Sequence, residues 1–198
     1  MLPPRWRRHP IVLALVLVLL IVALLDRAGR LRSRGDDYGR YHNQTFRVVH
    51  VVDGDTVDVD APDGREPRTR IRLWGVDAPE IRHGRDGVDM HYGPQAAAYA
   101  RDTLTGKKVR LELVAGKPRD RYKRLLAYVF LADSGEMFNE MLLSTGHAYA
   151  DPRFDHPWKQ RFAQLEERAA REGAGLWREV TPDRYPAWKR ARGRRGKP

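Results

Sequence analysis

The pattern of apolar and polar positions divides this chain into regions of different character. An unbroken apolar run, IVLALVLVLLIVALL, covers Ile11–Leu25, and polar, turn-rich residues follow it. Between Phe46 and Trp177, short apolar runs alternate with clusters of Gly, Pro and Asp, which is typical of a folded domain. We therefore expect four regions: a hydrophobic segment in 1–30, a polar linker in 31–45, a folded domain in 46–177 and a basic tail in 178–198.

The central region contains both strand and helix signals. Strands are predicted over Phe46–Val52, Thr56–Val59, Thr69–Val76, Lys108–Val114 and Arg124–Leu131. Helices are predicted over Gly93–Leu104, which has a proline in its first turn, and over Met137–Ser144 and Pro157–Arg171. We expect the strands to form a meander with one helix between the third and fourth, so the fold class is α+β.

The apolar N-terminal run has a length between that of a signal-peptide core and that of a membrane span. As a helix its 15 residues would extend about 22 Å, against roughly 30 Å for the hydrocarbon core. Cleavage after Ala28 would place Asp26 where a small residue is required. The pattern therefore favours an uncleaved signal anchor, with secretion after cleavage as the alternative. Arginines on both sides leave the orientation open.

Charge and cysteine content narrow the classes of function. The net charge is +11, and its excess lies at the two ends: residues 1–45 contain eight Arg and three Asp, and residues 178–198 contain eight basic and two acidic residues. Contact with a polyanion or an anionic lipid is therefore expected through the tails, of which the C-terminal one is predicted to be disordered. The absence of cysteine excludes disulfides, thiolate catalysis and cysteine-ligated zinc.

Two acidic clusters end predicted strands: Asp53-Gly54-Asp55-Thr56 and Asp77-Ala78-Pro79-Glu80. Carboxylates two residues apart on an extended segment point the same way, and two such loops brought together could hold a hard cation. Each cluster alone is more typical of an ordinary turn. The first cluster does not fit an EF-hand, because Asp58 stands where that loop requires glycine.

Two arginines accompany these clusters. Arg72 lies on the same predicted strand as Asp77, and Arg124 opens the fifth strand after a charged turn. Guanidinium forks match phosphate oxygens and could clamp a phosphodiester beside a metal, although a single arginine is more often a surface or ion-pair residue. No HxH, HExxH, glycine-rich phosphate loop or GxSxG is present, which disfavours zinc, nucleoside-triphosphate and serine-hydrolase chemistry.

Together these motifs resemble the staphylococcal nuclease (thermonuclease) family. Four segments match it in order and spacing: Val52–Val57 (VDGDTV), Ile71–Glu80 (IRLWGVDAPE), Gly93–Ala96 (GPQA) and Asp120–Tyr128 (DRYKRLLAY). The resemblance covers about residues 46–177, and four motifs in order are much more specific than DGDT alone. It implies an OB-type five-stranded β-barrel with three helices, here preceded by the N-terminal hydrophobic helix.

The resemblance also implies an activity, the calcium-dependent cleavage of DNA and RNA phosphodiesters that leaves 3′-phosphate ends. By motif position, calcium would be held by the carboxylates of Asp55 and Asp77 and by the backbone carbonyl of Ala78. The best-known member of the family has threonine at the position of Ala78, and a carbonyl ligand survives that change.

The same comparison of motifs assigns the catalytic groups. Glu80 would activate or orient the attacking water, and Arg72 and Arg124 would hold the phosphate and stabilise its developing charge. Tyr122 falls at an aromatic position beside the site and is assigned to substrate binding. A dissociating phosphodiester gains negative charge on its oxygens, so cations and guanidinium donors are the groups that this chemistry needs.

The sequence therefore predicts a monomeric, membrane-anchored or exported calcium-dependent nuclease whose domain faces away from the cytoplasm. One alternative is a non-catalytic nucleic-acid-binding OB-fold module tethered to the membrane. Another is a surface protein in which the barrel is a scaffold and the basic tail binds anionic lipid or polymer.

Overall fold

A computed structural model of the chain describes residues 15–21, 36–81, 89–114, 116 and 118–195. The chain divides into two compact units, Met1–Arg40 and Tyr41–Pro198. In the first unit residues 15–21 are helical and have exposed side chains. Among the described residues, no helix has the length and apolar character that a membrane crossing requires. The rest of the predicted anchor, Ile11–Leu25, lies outside the described residues, so the anchor stays a prediction.

Seven strands occur in the described part of the second unit: β1 (Thr45–Asp53), β2 (Thr56–Val59), β3 (Thr69–Leu73), β4 (Val76–Asp77), β5 (Lys108–Leu113), β6 (Leu125–Leu131) and β7 (Tyr149–Ala150). Five of these strands close into a barrel in the order β1-β2-β3-β6-β5, with β1 paired to β5. The remaining two, β4 and β7, form a separate antiparallel pair. This architecture confirms the OB-type α+β barrel.

The predicted meander is wrong, because β3 pairs with β6 in parallel rather than with the strand that follows it. A parallel pair requires a long crossover connection. Here the crossover contains β4, a helix and β5, and it lets β5 close the barrel against β1. The parallel register aligns Arg72 with Leu126, which brings the start of β6 beside the functional part of β3.

The described helices are α1 (Asp36–Tyr41), α2 (Gly93–Leu104), α3 (Phe138–Ser144), α4 (Lys159–Glu172) and α5 (Ala187–Arg195), with 3-10 turns at Gly175–Arg178 and Pro182–Arg184. The helix α2 buries a stripe of small and apolar side chains, Ala96, Ala100 and Leu104, and packs on β1. The helix α3 covers β6, which explains why almost every residue of β6 is buried. The helices α2, α3 and α4 match the three that the sequence predicts.

Two boundaries differ from the predictions. The third predicted strand ends at Leu73, because Trp74 and Gly75 form a turn in which Gly75 has a φ of 77°. The folded unit also begins before residue 46, within the predicted linker. Tyr41 is completely buried, and its hydroxyl lies 3.1 Å from the Thr69 hydroxyl. The barrel therefore recruits part of a segment whose polar composition is typical of a linker.

The structure also differs from the predicted disorder over the described residues 178–195. The helix α5 is held by an ion pair between Lys189 Nζ and Glu166 Oε1 at 2.9 Å. The Trp188 ring is partly buried, and its N–H donates a hydrogen bond to Asp77. Contacts with α4 and β4 thus hold this basic segment in place.

Candidate active site

The turn between β1 and β2 makes a close backbone contact that positions the first acidic cluster. At Gly54 a β-carbon would lie 2.6 Å from the Ala78 β-carbon and 3.1 Å from that of Ala96. Only glycine therefore leaves room for both α2 and the segment after β4. The contact brings Asp55 within reach of that segment, where its Oδ2 accepts a hydrogen bond from the Ala78 N–H at 2.6 Å.

Asp55 is held almost completely away from solvent, with 3% of its surface exposed. Its second oxygen, Oδ1, accepts a hydrogen bond from the Thr56 hydroxyl at 3.1 Å. Its backbone N–H donates to Asp53 Oδ1 at 3.0 Å. The carboxylate of Asp55 is thus fixed in one orientation, and the carboxylate of Asp53 lies next to the Asp55 backbone.

The guanidinium of Arg72 joins the two acidic clusters. Its NH1 lies 3.0 Å from Asp55 Oδ2, and its NH2 donates to Asp77 Oδ1 at 2.9 Å. The same NH1 also donates to the carbonyls of Leu73 and Val76, at 2.9 and 2.8 Å. Arg72 is therefore anchored by its own backbone turn as well as by both carboxylates.

Both oxygens of Asp77 have partners. Oδ1 accepts from Arg72 and lies 3.5 Å from the NH2 of Arg153, whereas Oδ2 accepts the indole N–H of Trp188 at 2.7 Å. Arg153 itself forms a two-point pair with Asp151, at 2.8 and 2.7 Å. Asp77 thus links β4 to two segments of the C-terminal half of the chain.

Glu80 is positioned through its backbone. Its carbonyl oxygen accepts a hydrogen bond from the Met90 N–H at 3.0 Å, and a β-carbon at Gly93 would lie 2.5 Å from the same oxygen. Glycine at the start of α2 therefore lets the helix pack directly on the backbone of Glu80. The side chain of Glu80 remains exposed.

The charges of these carboxylates influence one another. Burial, opposed by Arg72 and reinforced by Asp53 and Asp77, raises the pKa of Asp55 well above its ordinary value. Although Glu80 lies at the surface, the protein around its carboxyl group removes part of its hydration, and this desolvation together with the charges of Asp53 and Asp77 raises the pKa of Glu80, against the opposing charges of Arg72 and Arg124. Although burial acts to lower it, the attraction of Asp55 and Asp77 raises the pKa of Arg72. The carboxylates of the site therefore raise one another's pKa, and the arginines act in the opposite direction.

Arg124 and Tyr122 occupy the turn that precedes β6. Asp120 Oδ1 accepts the backbone N–H groups of both residues, and Asp120 Oδ2 accepts the Arg124 Nε–H at 2.7 Å. The Arg124 guanidinium lies 5.4 Å from the centre of the Tyr122 ring, and that ring is 64% exposed. The turn therefore presents an exposed aromatic face next to a half-buried arginine.

The structure brings four of the predicted site residues, Asp55, Arg72, Asp77 and Ala78, into direct contact, and the charges of Glu80 and Arg124 act on each other nearby. The roles assigned to these residues stay predictions. Sequence reasoning missed Arg153 and Trp188, which both reach Asp77. The sequence does contain a hint of the role of Trp188, because disordered segments contain few aromatic residues and a tryptophan in the tail indicates order.

The donor set fits a hard cation. Within the described ranges, no cluster of three or more His, Asp or Glu side chains is arranged to hold a metal ion. Calcium, however, also takes carbonyl and water oxygens, and two carboxylates next to the Ala78 peptide offer oxygens of that kind. The guanidinium of Arg72 contacts one oxygen of each carboxylate, so a bound cation would share the negative charge of this pair with Arg72.

Comparisons with known proteins agree with this geometry. The family model described as staphylococcal nuclease homologue matches residues 70–179. A thermonuclease of Staphylococcus hyicus is 34% identical over 84% of this chain and 94% of its own length, and one of Staphylococcus intermedius is 36% identical over 82% and 89%. An uncharacterized endonuclease of Haemophilus influenzae is 30% identical over 74% of this chain and 73% of its own.

Proposed function

The chain belongs to the staphylococcal nuclease family, and we propose that it is a calcium-dependent nuclease that hydrolyses DNA and RNA and leaves 3′-phosphate ends. The observation that carries the proposal is the bridge that Arg72 makes between Asp55 and Asp77. It combines a guanidinium with two carboxylates in one largely buried cluster, and these are the groups that phosphodiester hydrolysis uses.

The carboxylates of Asp55 and Asp77 and the carbonyl of Ala78 would hold the calcium ion. When bound, the ion supplies positive charge that stabilises the negative charge developing on the phosphate oxygens. The rigidity of Asp55, whose two oxygens are both hydrogen-bonded, supports this role, because a ligand fixed before binding loses little conformational entropy.

The two arginines would bind the phosphodiester. The NH1 of Arg72 keeps its hydrogen bonds to the carbonyls of Leu73 and Val76 even if NH2 releases Asp77, so the guanidinium stays in place and NH2 can donate to a phosphate oxygen. Arg124 is held through Nε by Asp120, which leaves its terminal nitrogens to contact substrate oxygens. Tyr122, exposed next to Arg124, would stack on a base or a sugar of the substrate.

Glu80 would act as the general base. Desolvation of its carboxyl group and the charges of Asp53 and Asp77 raise the pKa of Glu80, which strengthens it as a proton acceptor. It would take the proton of the attacking water as the water oxygen bonds to phosphorus. The exposed position of Glu80 allows that water to reach it.

The test is hydrolysis of single-stranded DNA and of RNA by the full-length protein in a mild detergent, first with calcium and then with excess EGTA. We expect cleavage only with calcium, with 3′-phosphate ends. Glu80→Gln and Arg124→Lys should each lower the rate by about 10²-fold or more. The matched controls are Glu167→Gln and Arg171→Lys, which alter an exposed ion pair of α4 and should keep the full rate.

Full activity in EGTA, or in Glu80→Gln, would refute the proposed mechanism. A folded protein that binds DNA without cleaving it under either condition would instead favour the non-catalytic binding module. Circular dichroism of every variant separates a loss of chemistry from a loss of fold.

We further propose that the apolar run Ile11–Leu25 anchors the protein in a membrane as a monomer with its domain outside the cytoplasm. The run contains no charged residue, and a nuclease on the outside cannot attack the genome of its own cell. Protease added to intact cells should then digest the domain. Protection of the domain would contradict this topology, and a shortened protein in the medium would indicate secretion after cleavage.

We also propose that the basic C-terminal segment contacts polyanions. Residues 187–198 contain no acidic side chain, and Arg190 and Arg192 are exposed on α5. Replacing both with Gln should lower the slope of log Kd against log salt for single-stranded DNA by about 0.7 for each phosphate contact that is lost. An unchanged slope would exclude these two arginines from the interface.

A further inference from the structure

The indole N–H of Trp188 makes a hydrogen bond that distinguishes it from other tryptophans of the chain. It donates to Asp77 Oδ2 at 2.7 Å, across 111 residues of sequence. By contrast, the indole nitrogens of Trp74 and Trp177 are buried and have no hydrogen-bond partner within the described residues. The bond to Asp77 therefore ties α5 to the candidate site in a way that the other two indoles do not.

The residue next to Trp188 fixes that placement. Lys189 Nζ forms an ion pair with Glu166 of α4 at 2.9 Å. The same ammonium lies 5.4 Å from the ring centres of Tyr149 and Trp177 and 5.7 Å from that of Tyr185. Three aromatic faces and a carboxylate around one ammonium make a strong anchor. The docked Lys189 therefore holds α5 in the position from which Trp188 reaches Asp77.

A second contact supports the ring of Trp188. The guanidinium of Arg153 lies 5.0 Å from the ring centre, and Arg153 is itself fixed by its two-point pair with Asp151. The indole is therefore held on its face as well as at its nitrogen. Its orientation, and with it the direction of the hydrogen bond to Asp77, is determined by the surrounding side chains.

The chemistry of an indole N–H decides whether Trp188 orients Asp77 or prevents a metal ion from binding to it. An indole N–H is uncharged and only donates, so it leaves the negative charge of Asp77 in place. Each carboxylate oxygen has two lone pairs, and one hydrogen bond leaves the other free to bind a cation. The guanidinium groups of Arg72 and Arg153 already lie near the other oxygen, Oδ1, and offset part of that charge, whereas the indole adds no positive charge of its own. Trp188 can therefore orient Asp77 without blocking it.

We propose that Trp188 is a positioning residue for Asp77, so that the C-terminal helix α5 is a part of the metal site. The proposal rests on the proposed function, in which Asp77 is a calcium ligand. Partners that orient a metal-binding side chain typically contribute 10–100-fold to metal affinity. Removal of the indole N–H should therefore weaken calcium binding about tenfold.

The experiment measures calcium affinity by titration calorimetry on the full-length protein in a mild detergent, which does not depend on activity. Trp188→Phe keeps an aromatic ring and removes the N–H, and it should raise the Kd for calcium about tenfold. The matched control is Trp158→Phe, because Trp158 lines a cavity with Phe130 and Met141, outside the Lys189 anchor, and this change should leave the Kd unchanged. In nuclease assays, Trp188→Phe should need more calcium for half-maximal rate yet approach the parent kcat at saturating calcium.

Lys189→Met supplies a second, independent variant. It removes the ion pair to Glu166 and releases α5, so it should weaken calcium binding to a similar extent. Because Lys189 acts through Trp188, the double variant should be no weaker than either single variant. An additive effect of the two changes would refute this coupling.

The outcomes also separate this proposal from the proposed function. A parent protein that binds no calcium overturns both. If the parent binds calcium and Trp188→Phe binds it equally well or more tightly, the nuclease stands and the positioning role is wrong, with tighter binding indicating that Trp188 blocks the site. Should Trp188→Phe fail to fold, Lys189→Met decides by the same criterion.

Discussion

The close contact at Gly54 allows a quantitative prediction about how the two acidic clusters are held together. In Gly54→Ala the new β-carbon would lie 2.6 Å from the Ala78 β-carbon, whereas carbon atoms in contact lie about 3.5–4.0 Å apart. The overlap, of the order of 1 Å, can be relieved only by moving the turn away from α2 and from the segment after β4. Overpacking of this kind costs about 1–3 kcal/mol of unfolding free energy. In a chain of this size that corresponds to a decrease in Tm of about 2–12 °C.

Thermal and urea unfolding of Gly54→Ala measure this cost, and calcium titration measures its effect on the site. The displacement would lengthen the 2.6 Å hydrogen bond between Asp55 and the Ala78 N–H, so calcium affinity should fall together with stability. The control is Gly39→Ala, because no atom lies within 4 Å of a β-carbon at that position. Adding Ala78→Gly to Gly54→Ala transfers the methyl group across the contact and should recover part of the loss, an interaction energy of about 0.5–3 kcal/mol. A Gly54→Ala protein as stable as the parent, or no recovery in the double variant, would refute the packing argument.

Other parts of the chain give further predictions. Asn139 accepts a hydrogen bond from the Val129 N–H at 3.0 Å and donates one to the Trp74 carbonyl at 2.9 Å. Asn139→Ala should therefore lower the unfolding free energy by about 1–3 kcal/mol for each buried partner that it leaves unpaired. Urea unfolding tests this, and a change below about 0.5 kcal/mol, the usual effect of a surface substitution, would contradict it. Burial lowers the pKa of His147 below its ordinary 6.5, so below that pH the unfolded chain binds more protons than the folded one. The contribution of neutral His147 to the unfolding free energy is therefore complete above pH 6.5 and is lost as the pH falls towards the folded-state pKa. His147→Phe keeps the ring stacked on Tyr99 and should make the unfolding free energy less dependent on pH between about 5 and 6.5, and equal slopes in the two proteins would argue against a buried neutral histidine. Finally, calcium at a hundred times its Kd should add about 2.7 kcal/mol of stability, and a Tm that is the same in calcium and in EGTA would count against a calcium site.

Much of the fold follows from local sequence signals. The turn residues and β-branched runs mark β1, β2 and β5 to within a residue or two of their observed ends, because strand propensity and turn chemistry act over a few neighbouring residues. Pro94 at the start of α2 and the apolar stripe behind it fix that helix in the same way. The parallel pairing of β3 with β6 could not be obtained from such signals, because it depends on a crossover of about 50 residues rather than on adjacent positions.

In the candidate site, too, some features follow from the sequence and others depend on the tertiary structure. The sequence by itself determined the types of group, since the order and spacing of VDGDTV, IRLWGVDAPE and DRYKR specify carboxylates and guanidinium groups with one kind of chemistry. Only the tertiary structure decided that Arg72 joins Asp55 to Asp77, because that bridge requires two loops to pack across Gly54. The contact of Trp188 with Asp77 belongs wholly to the tertiary structure. Composition marks the C-terminal segment as basic and disordered, whereas its observed place depends on contacts of Lys189 with the rings of Tyr149 and Trp177. Long-range packing of this kind leaves no periodic pattern in a sequence.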